Sequence, residues 1–149
     1  MSEIKKIFEK SSLKDFFDCY VDFVQQYIYQ AVYDYLSVRY AQNIKLLLES
    51  KYFTDEFKEF YRQKLTEEMN LLKKELKALE IKKIKLIDQK IYGLNIIGEL
   101  TIEVKYKVQF NAVNLKTNML KKDVIEACVT ILFVNTTSGL KISKILKET

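Results

Sequence analysis

An α+β fold is predicted for this chain: about three N-terminal helices packed on one face of a curved, four-stranded, mostly antiparallel sheet. Three observations lead there. In the stretch Gly98 to Asn111, Leu100, Ile102, Val104, Tyr106, Val108 and Phe110 alternate unbroken with Thr101, Glu103, Lys105, Lys107 and Gln109. Successive side chains on a strand point to opposite faces, so this is a long strand with one apolar and one polar face. From Leu13 to Tyr35, apolar residues recur every three or four positions, the period of a helix with a buried face. The 149 residues include no Pro and only three Gly, where average usage gives about 7 Pro. With so few breakers, long elements joined by short turns are expected.

Residues 1–12 read as a short charged arm, and 13–149 as a single domain. Ser12, with Asp15 three positions on, is a helix N-cap pattern. The helix that follows buries Phe16, Phe17, Tyr20, Val24, Tyr27, Ile28, Ala31 and Tyr35, and a joint is expected at residues 37–40. A short helix carries Ala41, Ile44, Leu47 and Leu48. Thr54 then caps a third, with Asp55 and Glu56 against the positive helix end. Its apolar positions run from Phe57, Phe60, Tyr61 and Leu65 to Leu76 and Leu79.

Near Leu79 the period changes from helical to two, and a first strand extends to about Tyr92. Gly93 and Gly98 bracket a turn before the long strand, which ends near Asn114. A polar turn, a strand from Asp123 to Val134, a hairpin turn ending at Gly139 and a short strand from Leu140 to Ile145 complete the sheet. Both faces of the 123–134 strand are fairly apolar, which places it centrally. The expected core sets Val104, Tyr106, Val108, Ile131 and Phe133 against Phe16, Tyr20, Val24, Tyr27 and Phe57.

The net charge of +5 permits contact with anionic partners without demanding it. The aromatics of the first helix read as core or pocket lining rather than a base-stacking platform, so no nucleic-acid partner is expected. The chain lacks His, which removes His-based triads, His-ligated zinc and His acid–base chemistry. It also lacks the glycine-rich phosphate-binding patterns, so no cofactor is expected. Cys19 and Cys128 read as separate thiols, with no paired spacing for a metal. Asp88 and Glu126 read as ion-paired or edge carboxylates rather than proton-transfer groups. No apolar run approaches the 18 to 20 residues of a membrane span. These absences leave a binding or adaptor role ahead of an enzymatic one.

The aromatic first helix, the short helix with Ile44 to Leu48, the capped restart at Phe53 to Phe57, and a long alternating strand followed by Gly139 to Leu146 resemble the cone-shaped NTF2-like fold. Within it the order of elements is most similar to Tim44-like domains, although Leu140 stands where that family's last strand usually opens with Trp. The resemblance implies a non-enzymatic domain, peripheral to a membrane and associated with protein translocation, binding a protein partner or anionic lipid. It implies a cytoplasmic or organelle-matrix location. VirB8-type secretion-channel components, which would be periplasmic, and NTF2-like pocket enzymes or ligand carriers share the fold and stand as alternatives. Self-association into a homodimer is open.

The expected site is an apolar pocket at the open end of the cone. Tyr20, Phe23, Tyr27, Tyr106 and Phe110 are its lining candidates, with Lys83, Lys85 and Lys105 as a basic rim.

Overall fold

The computed structural model describes residues 13–94 and 98–149, with side chains from Gln25 onward apart from those of Gly93 and Leu94. The 1–12 arm, with its Ser12 cap, lies outside these residues, as does most of the turn between Gly93 and Gly98. Three helices precede four strands: α1 (Leu13–Ala41), α2 (Ile44–Glu49), α3 (Asp55–Lys74), β1 (Lys77–Leu94), β2 (Glu99–Asn114), β3 (Leu120–Thr136) and β4 (Gly139–Glu148). The strands form one sheet in the order β1-β2-β3-β4. Every neighbouring pair is antiparallel, and β3 is interior as its sequence implied.

Helix α1 does not stop at residues 37–40. Val38 and Tyr40 are buried along with Leu36, so packing on the sheet carries the helix to Ala41. The joint falls instead at Gln42, whose φ is 49°. Asn43 then caps α2, its side chain accepting from the Leu46 amide at 3.0 Å. The Thr54 cap forms as expected, with Oγ1 accepting from the Phe57 amide at 3.1 Å. Helix α3 ends at Lys74, short of Leu79, because Leu76 takes a left-handed φ of 53° that no helix can propagate. Leu76 is therefore exposed and Leu79 is a strand residue.

The long strand starts beside Gly98, where the carbonyl accepts from Asn135 N at 3.1 Å. Gly98 has φ +82°, and a Cβ there would lie 3.1 Å from Asn135 Cβ, so position and conformation both favour glycine. Strands β3 and β4 extend beyond their expected limits, starting at Leu120 and ending at Glu148. Register breaks in β1 at Ile81/Lys83, Leu86/Asp88 and Ile91/Gly93, and two more between β3 and β4, bend the two edge strands.

The expected inner sheet residues Val104, Tyr106, Val108, Ile131 and Phe133 are all buried, as is Phe57. From α1 they meet Ile28, Ala31, Val32, Tyr35 and Leu36, while Tyr27 is only half-buried. The side chains of Phe16, Tyr20 and Val24 lie outside the described residues. Phe53, just before α3, and Phe57 and Tyr61 on it form a stacked row, with ring centroids 5.3 and 5.2 Å apart in succession. Phe53 also forms a parallel bridge with Ile142, tying the segment before α3 to β4.

Candidate functional site

Beside the C-terminal end of α1, between the helices and the sheet, lies a cavity of about 460 Å³. Leu79 of β1, Tyr106 and Phe110 of β2, and Ile125 and Ala127 of β3 supply its apolar wall. Strand parity explains the set: all five stand on the helix-facing side of the sheet. Arg39, Tyr40 and Glu148 bring polar groups to one end.

Those polar groups are joined to one another. Arg39 Nε donates to Glu148 Oε1 at 3.0 Å, with the two side chains 27% and 22% exposed. The Tyr35 hydroxyl donates to the same carboxylate oxygen. Tyr40 and Tyr106 share a hydrogen bond of 2.7 Å between their hydroxyls, their rings edge to face at 6.0 Å. The Arg39 guanidinium lies 4.6 Å from the Tyr40 ring centroid, a cation–π contact. Among the described residues no buried side-chain nitrogen or oxygen lacks a partner. Burial, followed by the Tyr40 hydrogen bond, holds the Tyr106 hydroxyl above the ordinary tyrosine range. Burial does the same to Tyr35, reinforced by Tyr61 and Glu148. Burial alone would pull Arg39 down, but Glu148 and the surrounding tyrosines more than offset it and keep the guanidinium charged. The site thus combines neutral phenols, one fixed ion pair and an apolar wall. Among the described residues no cluster of three or more metal-ligating side chains forms.

Of the five expected lining residues, Tyr106 and Phe110 come together here. Tyr27 sits apart, its hydroxyl donating to the Leu140 carbonyl at 2.5 Å and its ring edge-on to Tyr52. Tyr20 and Phe23 are α1 positions whose side chains lie outside the described residues. Lys83, Lys85 and Lys105 are exposed on the far face of the sheet and do not rim the cavity. Each is flanked by an inward residue, Ile84 for the first two and Val104 and Tyr106 for the third, so the strand period turns each away. A shallower concavity of about 600 Å³ between Gln25–Gln30 and Leu86–Gln89 is lined largely by amides. It lacks the fixed charge pair and the aromatic wall of the first.

No family model matches the chain, and no curated protein matches it. In fold it is similar to the intermembrane space region of the chloroplast protein ARC6. That match has a TM-score of 0.50 at 13% identity and covers 78% of this chain and 87% of that one. At such identity the likeness establishes a distant relationship of fold alone, and it does not point to NTF2-like or Tim44-like domains specifically. Among the described residues no helix is long and apolar enough to cross a membrane.

The sequence reading missed Arg39, Tyr40 and Glu148. One signal was available for the first: Arg39 is one of two arginines in a chain whose other basic residues are all lysine. A planar fork that stays charged when buried is what an inward-facing cation requires.

Proposed function

We propose that this is a non-catalytic binding domain that grips an apolar anchor of a protein partner in the cavity between α1 and the sheet. The observation that carries the reading is that the polar side chains set against the cavity's apolar wall, Arg39, Tyr40, Tyr106 and Glu148, are committed to one another or to Tyr35, while Glu68, which also lines it, is exposed to solvent. An active site presents an unspent acid, base or nucleophile to its substrate. Here the Tyr40 and Tyr106 hydroxyls bond each other, and Glu148 is held by Arg39 and Tyr35. What remains on offer is apolar area of defined shape, with a fixed dipolar end to orient a ligand's polar terminus. A role as an adaptor peripheral to a membrane, of the kind found in translocation machinery, fits such a domain.

Photo-crosslinking tests this in the native cell. A benzophenone amino acid replacing Phe110 should yield one dominant protein adduct, and Ala127→Trp, which fills the cavity, should abolish it. Adducts unchanged by Ala127→Trp, or none at all with the folded domain present, would refute cavity binding. Catalytic turnover of a small molecule that depends on Tyr106 would refute the non-enzymatic reading.

A further inference from the structure

The outer face of the sheet, opposite the helices, carries an excess of positive charge. Strand register decides which residues lie there. From β1 come Lys83, Lys85 and Lys90, and from β2 Lys105 and Lys107. Strand β3 adds Lys122, and β4 adds Lys141, Lys144 and Lys147. Five acidic residues share the face: Glu80, Asp88, Glu99, Glu103 and Glu126. At paired register positions nine lysines face five carboxylates, and one of those, Glu80, is bonded by Lys82 of the first β1 bulge at 3.1 Å, so the face carries a clear positive excess. Lys107 and Lys141 are half-buried and the other seven lysines exposed. Among the described residues the only ion pair made by any of the nine is Lys105 to Glu126, at 3.5 Å.

The centre of this face is not polar. Strand β3 presents Val124, which is 49% exposed, together with half-buried Cys128, Leu132 and Val134. Tyr92, 56% exposed and donating to Glu103 at 3.1 Å, stands at the β1 edge. Lysines therefore flank an apolar strip on both sides.

We infer that the outer sheet face docks on an anionic lipid bilayer, its lysines reaching headgroup phosphates and its apolar strip resting at the interface. Charge complementarity selects an anionic occupant. The spread of lysines over all four strands suits a partner that is continuous in two dimensions. Flexible lysine stems can lie along the apolar strip while their ammonium groups reach outward, and Tyr92 is an interfacial type of side chain. Nucleic acid is less suited to this face: Tyr92 is its one described aromatic, leaving no stacking platform, and both arginines lie elsewhere. Docked this way, the domain would turn its helices and the α1 cavity toward the aqueous side. The inference does not depend on what the cavity holds.

Co-sedimentation of the full chain with vesicles tests it. Binding is expected to phosphatidylcholine vesicles containing phosphatidylglycerol at low salt, and not to pure phosphatidylcholine, with loss at high salt. A lysine near an anionic surface strengthens attachment roughly fivefold, so neutralising Lys141, Lys144 and Lys147 together to Gln should weaken binding about a hundredfold. The same charge change on the helical side, with Lys45, Lys73 and Lys74 to Gln, should change it by less than about threefold. Ala127→Trp should sediment like the parent, which separates this surface from the cavity. Equal losses in both lysine triples, or no sedimentation with the anionic vesicles at low salt, would overturn the inference. So would binding to an oligonucleotide or to polyglutamate without binding to vesicles.

Discussion

The two faces of β2 share one backbone and one set of hydrogen bonds, yet different physics governs each. On the helix side Ile102, Val104, Tyr106 and Val108 are at most 1% exposed and pack against residues from all three helices' layer. On the other side Glu103, Lys105, Lys107 and Gln109 meet solvent and their cross-strand neighbours. The inner face has its stability set by close packing, where a lost methylene is felt. On the outer face, charges in water contribute little to stability, so composition there is free to serve attachment. The same strand can therefore be conservative in energy on one side and adaptable in function on the other.

The contrast can be broken most sharply at Phe133, fully buried on the inner face of β3. Phe133→Ala should cost about 3 to 5 kcal/mol and lower Tm by roughly 10 °C, measured by thermal melting. A shift of only a degree or two would mean the inner face is not a packed core. Next comes the ion pair at the cavity. Arg39→Met leaves the Glu148 carboxylate in a half-buried site with only Tyr35 to serve it, and should cost about 1 to 3 kcal/mol in urea titrations. A double-mutant cycle with Glu148→Gln isolates the coupling between the two. Arg39→Lys should recover only part of the loss, because an ammonium lacks the planar fork.

Alkaline pH probes the same layer. Burial pushes the Tyr61 hydroxyl up to about 12 and holds Tyr35 and Tyr106 higher still. In the unfolded chain these phenols ionise near pH 10. Their folded-state values are raised, so this contribution to stability is complete below about pH 10 and is lost as pH climbs toward 12. Urea midpoints should be level from pH 7 to 9 and fall above 10, with Tyr61→Phe showing a shallower fall. The smallest effect belongs to the outer face: Lys107→Gln should change stability by less than about 0.5 kcal/mol. A larger loss there would show that the outer face is also structural.

Much of this division was legible in the sequence. The alternation from Leu100 to Phe110 showed both faces of β2, and Thr54 with its acidic followers marked the start of α3. Element ends were less legible. Helix α1 runs on because Val38 and Tyr40 gain tertiary burial, and α3 stops early because Leu76 turns left-handed with no glycine to announce it. At the candidate site, local pattern offered Tyr106 and Phe110, which line the cavity, but Tyr40 and Arg39 find their partners on β2 and β4, far along the chain. Such pairings depend on how the sheet's two ends approach α1, which periodicity does not encode. The lysines were visible as a count. Their common side emerges only once the β1 register breaks, which reverse parity three times, are placed.

The bridge between Phe53 and Ile142 bears on how the molecule comes together in time. Ile142 N donates to the Tyr52 carbonyl at 2.6 Å, and Thr54 N donates to the Ile142 carbonyl at 3.0 Å, so β4 clasps a segment made long before it. Glu148 of the same strand closes onto Tyr35 and Arg39. Contacts spanning so much chain are entropically slow to close, and refolding is expected on a timescale of about milliseconds to seconds rather than microseconds. During synthesis the helices and the first three strands emerge while Phe53 and Phe57 still lack their β4 neighbours. Nascent chains held short of Gly139 should therefore expose aromatic surface and recruit chaperones, and release of the final strand should end that dependence.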